Sequence, residues 1–231
     1  MHTHCLIALA AAGLAGLARA QVPDAGSSEI RKQWVVGEHL ARDIGQPVDD
    51  AALLDYLQRI ETRIASGIGA SPMQIRVTRS PQQSATLLPN GILYLSSGML
   101  ARAESESELA GLLAHELAHS QQATAASCVL ASRPTIGEQT RDEEIRATGE
   151  AVRYMKLAGY DPLSTVEILS KLAYEHPAWA KAIRAEDLLG LRATLESEAA
   201  PGGGYVLDSS EFIKRHAGVV AAGHPGVPRK P

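Results

Sequence analysis

The apolar positions of this chain follow two periodicities, and the switches between them divide it into elements. From Ile30 to Ile64 they recur at helical spacing, broken at Gly45-Gln46-Pro47, with Asp49 or Asp50 placed to cap a second helix through Leu53, Leu57, Ile60 and Ile64. Gln74-Ile75-Arg76-Val77-Thr78 then alternates polar and apolar as a half-buried strand does, and a second β stretch covers 85–88. Pro89-Asn90-Gly91 turns the chain into Ile92-Leu93-Tyr94-Leu95-Ser96, and Gly98 reads as the break before the next helix. Helical spacing returns with Leu109, Leu112, Leu113 and Leu117, opened by a Ser-x-x-Glu capping box at Ser105 and Glu108. Further helices are expected from about Glu138 to Leu157, from Ser164 to Tyr174, and through Trp179, Ile183, Leu188 and Leu189. Gly202-Gly203-Gly204 reads as a connector, and the tail from Ala217 to Pro231 as poorly ordered. The expected class is α+β, mainly helical, with a small β-sheet packed above one long helix.

Composition adds limits to that picture. Residues 1–20 resemble a secretory signal, with an apolar run from Leu6 to Ala18 and the small-x-small site Ala18-Arg19-Ala20 before Gln21. That run is too short for a typical membrane span, and no other stretch reaches about 18 apolar residues. The chain is therefore expected to be exported, to the periplasm or beyond the cell, with no transmembrane segment in its mature form. The expected organisation is a signal at 1–20, one domain at 21–200 and a C-terminal extension at 201–231 that is partly disordered. Cys128 is the sole cysteine after the signal, so no internal disulfide is expected. A net charge of −4 with scattered Lys and Arg argues against nucleic acid as a partner.

The chemistry is concentrated at His115-Glu116-Leu117-Ala118-His119. Residues four apart on a helix share a face, so both imidazoles can reach one ion while Glu116 faces the water beside it. Zinc lowers the pKa of a bound water to roughly 7, and a neighbouring carboxylate can take its proton and pass it to a leaving amine. The alternative for a buried helix of this kind is a set of core histidines bonded to backbone or to Glu side chains.

Around the motif stand further blocks: Ser84-Ala85-Thr86, then Leu88 through Leu100, then Glu108 through His119, then Ala158-Gly159-Tyr160-Asp161-Pro162 and His176-Pro177. Together, over about 74–184, these resemble the HtpX-like zinc metallopeptidases, the gluzincins of metallopeptidase family forty-eight. That group includes CAAX prenyl proteases and soluble periplasmic proteases acting on outer-membrane proteins. The resemblance implies one Zn2+ held by His115 and His119, with Glu116 as general base. It also implies that Ile92, Tyr94 and Ser96 lie on an edge strand above the cleft, where an extended polypeptide substrate can pair. An ordinary buried strand is the alternative for these three.

One segment departs from the family. Its third zinc ligand comes from a Glu-Ala-Asp segment before the Ala-Gly-Tyr-Asp-Pro block, and counting back from Ala158 without a gap puts Arg146-Ala147-Thr148 there. A guanidinium cannot ligate and would repel a dication. Glu143, Glu150 and His176 are the candidate replacements. If one closes the site, the chain is an exported zinc metalloendopeptidase acting on misfolded or unassembled envelope proteins. If none does, it is a catalytically impaired relative that holds polypeptide as a chaperone-like module.

Overall fold

The structure is a computed structural model that describes residues 28–122, 141–176, 183–198 and 204–221. The expected signal segment, Cys128, Trp179 and most of the glycine connector lie outside the described residues. The described elements are α1 (Ser28–Ile44), β1 (Gln46–Pro47), α2 (Ala51–Gly67), β2 (Gln74–Arg79), β3 (Ala85–Leu87), β4 (Ile92–Ser96), α3 (Ser97–Arg102), α4 (Glu106–Gln122), α5 (Arg141–Ala158), α6 (Leu163–Glu175), α7 (Ala185–Glu198) and α8 (Ser210–Ala221). Asp50 is the cap of α2, its carboxylate accepting from Leu53 N at 3.0 Å. Gly91 takes φ +75° at the turn into β4, in the left-handed region that favours glycine.

The sheet runs β1-β2-β4-β3. β4 pairs in parallel with β2, from Gln74↔Ile92 to Thr78↔Ser96, and antiparallel with β3, from Ala85↔Leu95 to Leu87↔Leu93. This corrects the expected edge strand: Ile92, Tyr94 and Ser96 sit in an interior strand, every residue of which is buried. It is interior because it pairs on both sides, and it is buried because the sheet is covered on both faces. Leu93 and Leu95 join the main core, while Ile92 and Tyr94 pack with Leu88 and with Trp34 of α1. A strand apolar on both faces belongs inside a sheet, and the unbroken Ile-Leu-Tyr-Leu run is the signature of that. Ser96 is spent structurally, accepting from Met99 N and Ser84 N at 3.0 Å each. The strands at the two edges are β1 and β3.

Gly98 lies within α3 rather than before it, and packing requires its lack of a side chain, since an added Cβ would stand 2.3 Å from Pro81 O. Only the start of the expected tail is described, residues 222–231 lying outside the described residues. Residues 217–221 complete α8, which buries Phe212 and packs on α3.

Helix α4 is the axis of the molecule, touching α2, α5, α6 and β3 and buried from Glu106 to Ala118. A helix enclosed on all sides needs no single apolar stripe. Its approach to α6 depends on Gly111, where a Cβ would lie 2.8 Å from Thr165 Cα. Its first turn is satisfied from three directions. Glu108 N donates to Ser105 Oγ at 3.0 Å, Glu106 N to Asp208 Oδ1 at 2.9 Å, and Ser107 N to Leu207 O at 3.0 Å. The capping box is thus half-formed. Glu108 Oε2 accepts from Glu104 N, one residue before the Ser105 amide that the reciprocal box would use.

Candidate metal centre

Near the C-terminal end of α4, one turn of helix brings His115 and His119 over the same point, with ring centroids 4.6 Å apart and nearly perpendicular. Helix α5 packs along α4 and places Glu144 at that point. His115 Nε2 and Glu144 Oε2 are 3.1 Å apart, the two Nε2 atoms 3.1 Å, and His119 Nε2 and Glu144 Oε2 3.4 Å. His115 is 1% exposed and Glu144 fully buried. Glu144 Oε1 has no hydrogen-bond partner among the described residues.

Such a triangle suits a metal. In a tetrahedral site with bonds of about 2.0–2.1 Å, ligand atoms stand roughly 3.3–3.4 Å apart, close to the separations here. Two imidazoles and a carboxylate also form a ligand set of catalytic zinc sites, in which a fourth position stays open. Without an ion, a fully buried carboxylate with one bare oxygen is costly, so the donor set fits a cation better than it fits a core.

The electrostatics agree with that division of roles. Burial opposes the charge of Glu144, yet hydrogen bonds from both imidazoles hold its carboxyl down near 2. Burial lowers the His115 pKa, with the bond to Glu144 opposing it. For His119 burial acts the same way but is outweighed by the bond to Glu144 and by the charges of Glu116, Glu144 and Glu143, so its pKa is raised. Glu116, also buried, behaves oppositely to Glu144. Burial drives its carboxyl up to about 7, His119 opposing this and the Glu144 charge adding to it. Two carboxylates beside one pair of histidines are thus separated into one held ionised and one able to carry a proton near neutrality.

The sequence model of peptidase family M48 matches residues 52–132, from α2 through the two histidines. Over 66 residues, 28% of this chain, it is 36% identical to the mitochondrial metalloendopeptidase OMA1 of Schizosaccharomyces pombe. Over 112 residues, 44% of this chain, it is 30% identical to a protein of Vibrio cholerae named as a beta-barrel assembly-enhancing protease. The matched stretches span 20% and 23% of those two relatives. Family M48 members are zinc metalloendopeptidases, and the α+β fold with its small mixed sheet agrees with such a domain.

Against that family, the reading of the third ligand needs correction. Arg146 is exposed and donates to Gln122 Oε1 at 3.1 Å, away from the histidines. Glu150 pairs with Arg153 at 2.7 Å on the surface. His176 ends α6 and contacts Gln83 Oε1 at 3.1 Å. Glu143 is half-buried and contributes its charge at His119 without joining the ligand triangle. The carboxylate that joins it is Glu144, two residues before Arg146. Two residues are about 200° of helix, which takes a side chain from one face to the other. The signal was present in the sequence: Ala147, Ala151, Met155 and Ala158 mark the buried stripe of α5, and stepping back from them lands on Glu144.

Proposed function

We propose that this chain is a zinc metalloendopeptidase in which His115, His119 and Glu144 hold one zinc ion and Glu116 is the general base. The observation that carries the reading is the buried triangle of His115 Nε2, His119 Nε2 and Glu144 Oε2, matched in size to a tetrahedral site. When bound, zinc supplies Lewis-acid activation of water and of the scissile carbonyl. The chain's own residues do the rest. Glu116, with a carboxyl raised by burial, accepts the proton of the attacking water and returns it to the leaving amine. Glu144 and His115 stay unprotonated near neutrality, whereas His119 favours its proton, so metal affinity falls as the solution is acidified.

The substrate in this proposal is an extended polypeptide. It pairs with β3, an edge strand that touches α4 and whose outer side carries no described strand. Misfolded or unassembled envelope proteins are the proposed source. The likeness to a beta-barrel assembly-enhancing protease and the signal-like pattern of residues 1–20 support this. The non-catalytic alternative rests on Arg146 standing at the third-ligand position, and in this proposal Glu144 fills that role instead.

The test is Glu116→Gln assayed on casein. Turnover should fall by roughly 10²–10⁴-fold while bound zinc stays at the parent level. A parent that holds zinc yet cuts no unfolded protein would refute the enzyme reading.

A further inference from the structure

Away from the metal centre, a cavity of about 210 Å³ lies between the start of α2, the end of β2 and the C-terminal helix α8. It shares no residue with the ligand triangle. Its apolar wall is Val48, Leu53, Val77 and Val219, and its polar rim carries Arg79, Lys214 and Arg215. The charges on that rim are unbalanced. The side chains of Arg79 and Lys214 make no hydrogen bond or ion pair with another described residue. Arg215 reaches Glu211 at 3.4 Å through one nitrogen, while its Nε is buried without a partner. Asp50, the one carboxylate on the wall, is occupied in capping Leu53 N, and Glu211 is shared with Arg59.

An apolar chamber under three incompletely paired cations selects an apolar body joined to an anion. Size narrows the ligand, because pockets for drug-sized molecules run from about 300 to 1,000 Å³ and this one is smaller. One apolar side chain and one carboxylate suit such a volume. We infer that this cavity binds the C-terminal residue of a polypeptide, its side chain among Val48, Leu53, Val77 and Val219 and its carboxylate against Lys214, Arg215 and Arg79. Terminal carboxylates are recurrent recognition elements, and guanidinium and ammonium groups at an apolar wall are strong donors to them. The site is a recruitment point independent of the hydrolytic chemistry proposed above, and it stands whether or not the metal centre turns over.

The test is fluorescence anisotropy on the full chain in a chelator, so that no metal contributes. The probe is a labelled peptide ending in Gly-Ser-Leu with a free carboxylate, compared with the same peptide amidated. The amide should bind about tenfold more weakly, and Lys214→Gln and Arg79→Gln should each weaken the acid by roughly threefold. Gly218 lines the cavity and a Cβ there meets nothing within 4 Å. Gly218→Leu should therefore reduce binding without lowering the melting temperature. Equal affinity for acid and amide would overturn the inference, as would unchanged binding in both Lys214→Gln and Gly218→Leu. Tighter binding of dodecanoate than of the peptide would assign the cavity to an acyl chain and overturn it too.

Discussion

The two ends of α4 bury similar groups in opposite ways. At the N-terminal end every carboxylate oxygen of Glu106 and Glu108 has a partner. Tyr160 OH donates to Glu106 Oε1 at 3.2 Å, Tyr56 OH donates to Oε2 at 2.9 Å, and Ser209 Oγ joins Oε2 as well. Glu108 takes Lys171 on one oxygen and the Glu104 amide on the other. Near the C-terminal end, Glu144 shares one oxygen between two imidazoles and leaves the other bare, and Glu116 is buried with a carboxyl raised to about 7. Buried charge with complete partners is architecture, whereas buried charge with converging, incomplete partners is a site that expects something more. The satisfied end also explains how the other can exist. Glu106 ties α2, the segment after α5 and the residues before α8 to the start of the helix that carries the histidines.

Breaking the satisfied end should have the largest effect on stability. Glu106→Ala leaves two buried tyrosine hydroxyls and Ser209 without their acceptor, a loss of about 3 kcal/mol in urea unfolding. Zinc affinity of the folded fraction should stay within about twofold of the parent, because no metal-centre residue is touched. A large fall in affinity at full folding would mean that the two ends are one unit.

Glu61 on α2 is an intermediate case, with one oxygen accepting from Met73 N at 3.0 Å and the other unpartnered. Burial raises its carboxyl to about 7 from an ordinary 4.5, the Met73 amide opposing. The folded state then holds a proton that the unfolded chain has released between those values, so its stability falls as pH rises from 4.5 to about 7 and levels off above. Glu61→Gln should remove that slope. Relative to the parent, its stability should gain about 3 kcal/mol between pH 4.5 and 8. Parallel curves for the two proteins would show that Glu61 titrates normally.

Smaller effects separate the tail's contribution from the helix's own. Asp208→Ala removes one of the caps on α4 and should cost about 1 kcal/mol, read from the shift in denaturation midpoint. Arg146→Ala should change neither stability nor zinc affinity beyond about 0.5 kcal/mol, since the side chain is exposed and touches Gln122. A clear gain in zinc affinity would place Arg146 at the metal after all.

Much of this was legible in the sequence, for reasons that also explain the failures. Periodicity located α2, β2, β4, α4 and α6 because each buries a face that dictates its residue types, and the two histidines were fixed by spacing within one helix. The third member of the triangle was harder to place because it comes from another helix, and a register counted from a distant block slipped by two residues where the buried stripe of α5 would have held it. Sheet order was hidden for a related reason. Whether Ile92 to Ser96 is edge or interior depends on β2 and β3 both pairing with it, and local pattern does not state which strands lie beside it. The C-terminal helix was missed because it buries a single large side chain, Phe212, and packs on α3 through contacts distant in sequence that local pattern does not state.

In the proposed centre Glu144, and not a neighbour, completes the metal site. Zinc competition against a chromogenic chelator, run on the parent, Glu144→Gln, Glu143→Gln and Glu150→Gln, tests it most directly. The parent should bind one zinc ion, Glu144→Gln should bind at least roughly a hundredfold more weakly, and the other two should stay within a few-fold of the parent. Parent-like affinity in Glu144→Gln, or a hundredfold loss in either of the others instead, would contradict the account.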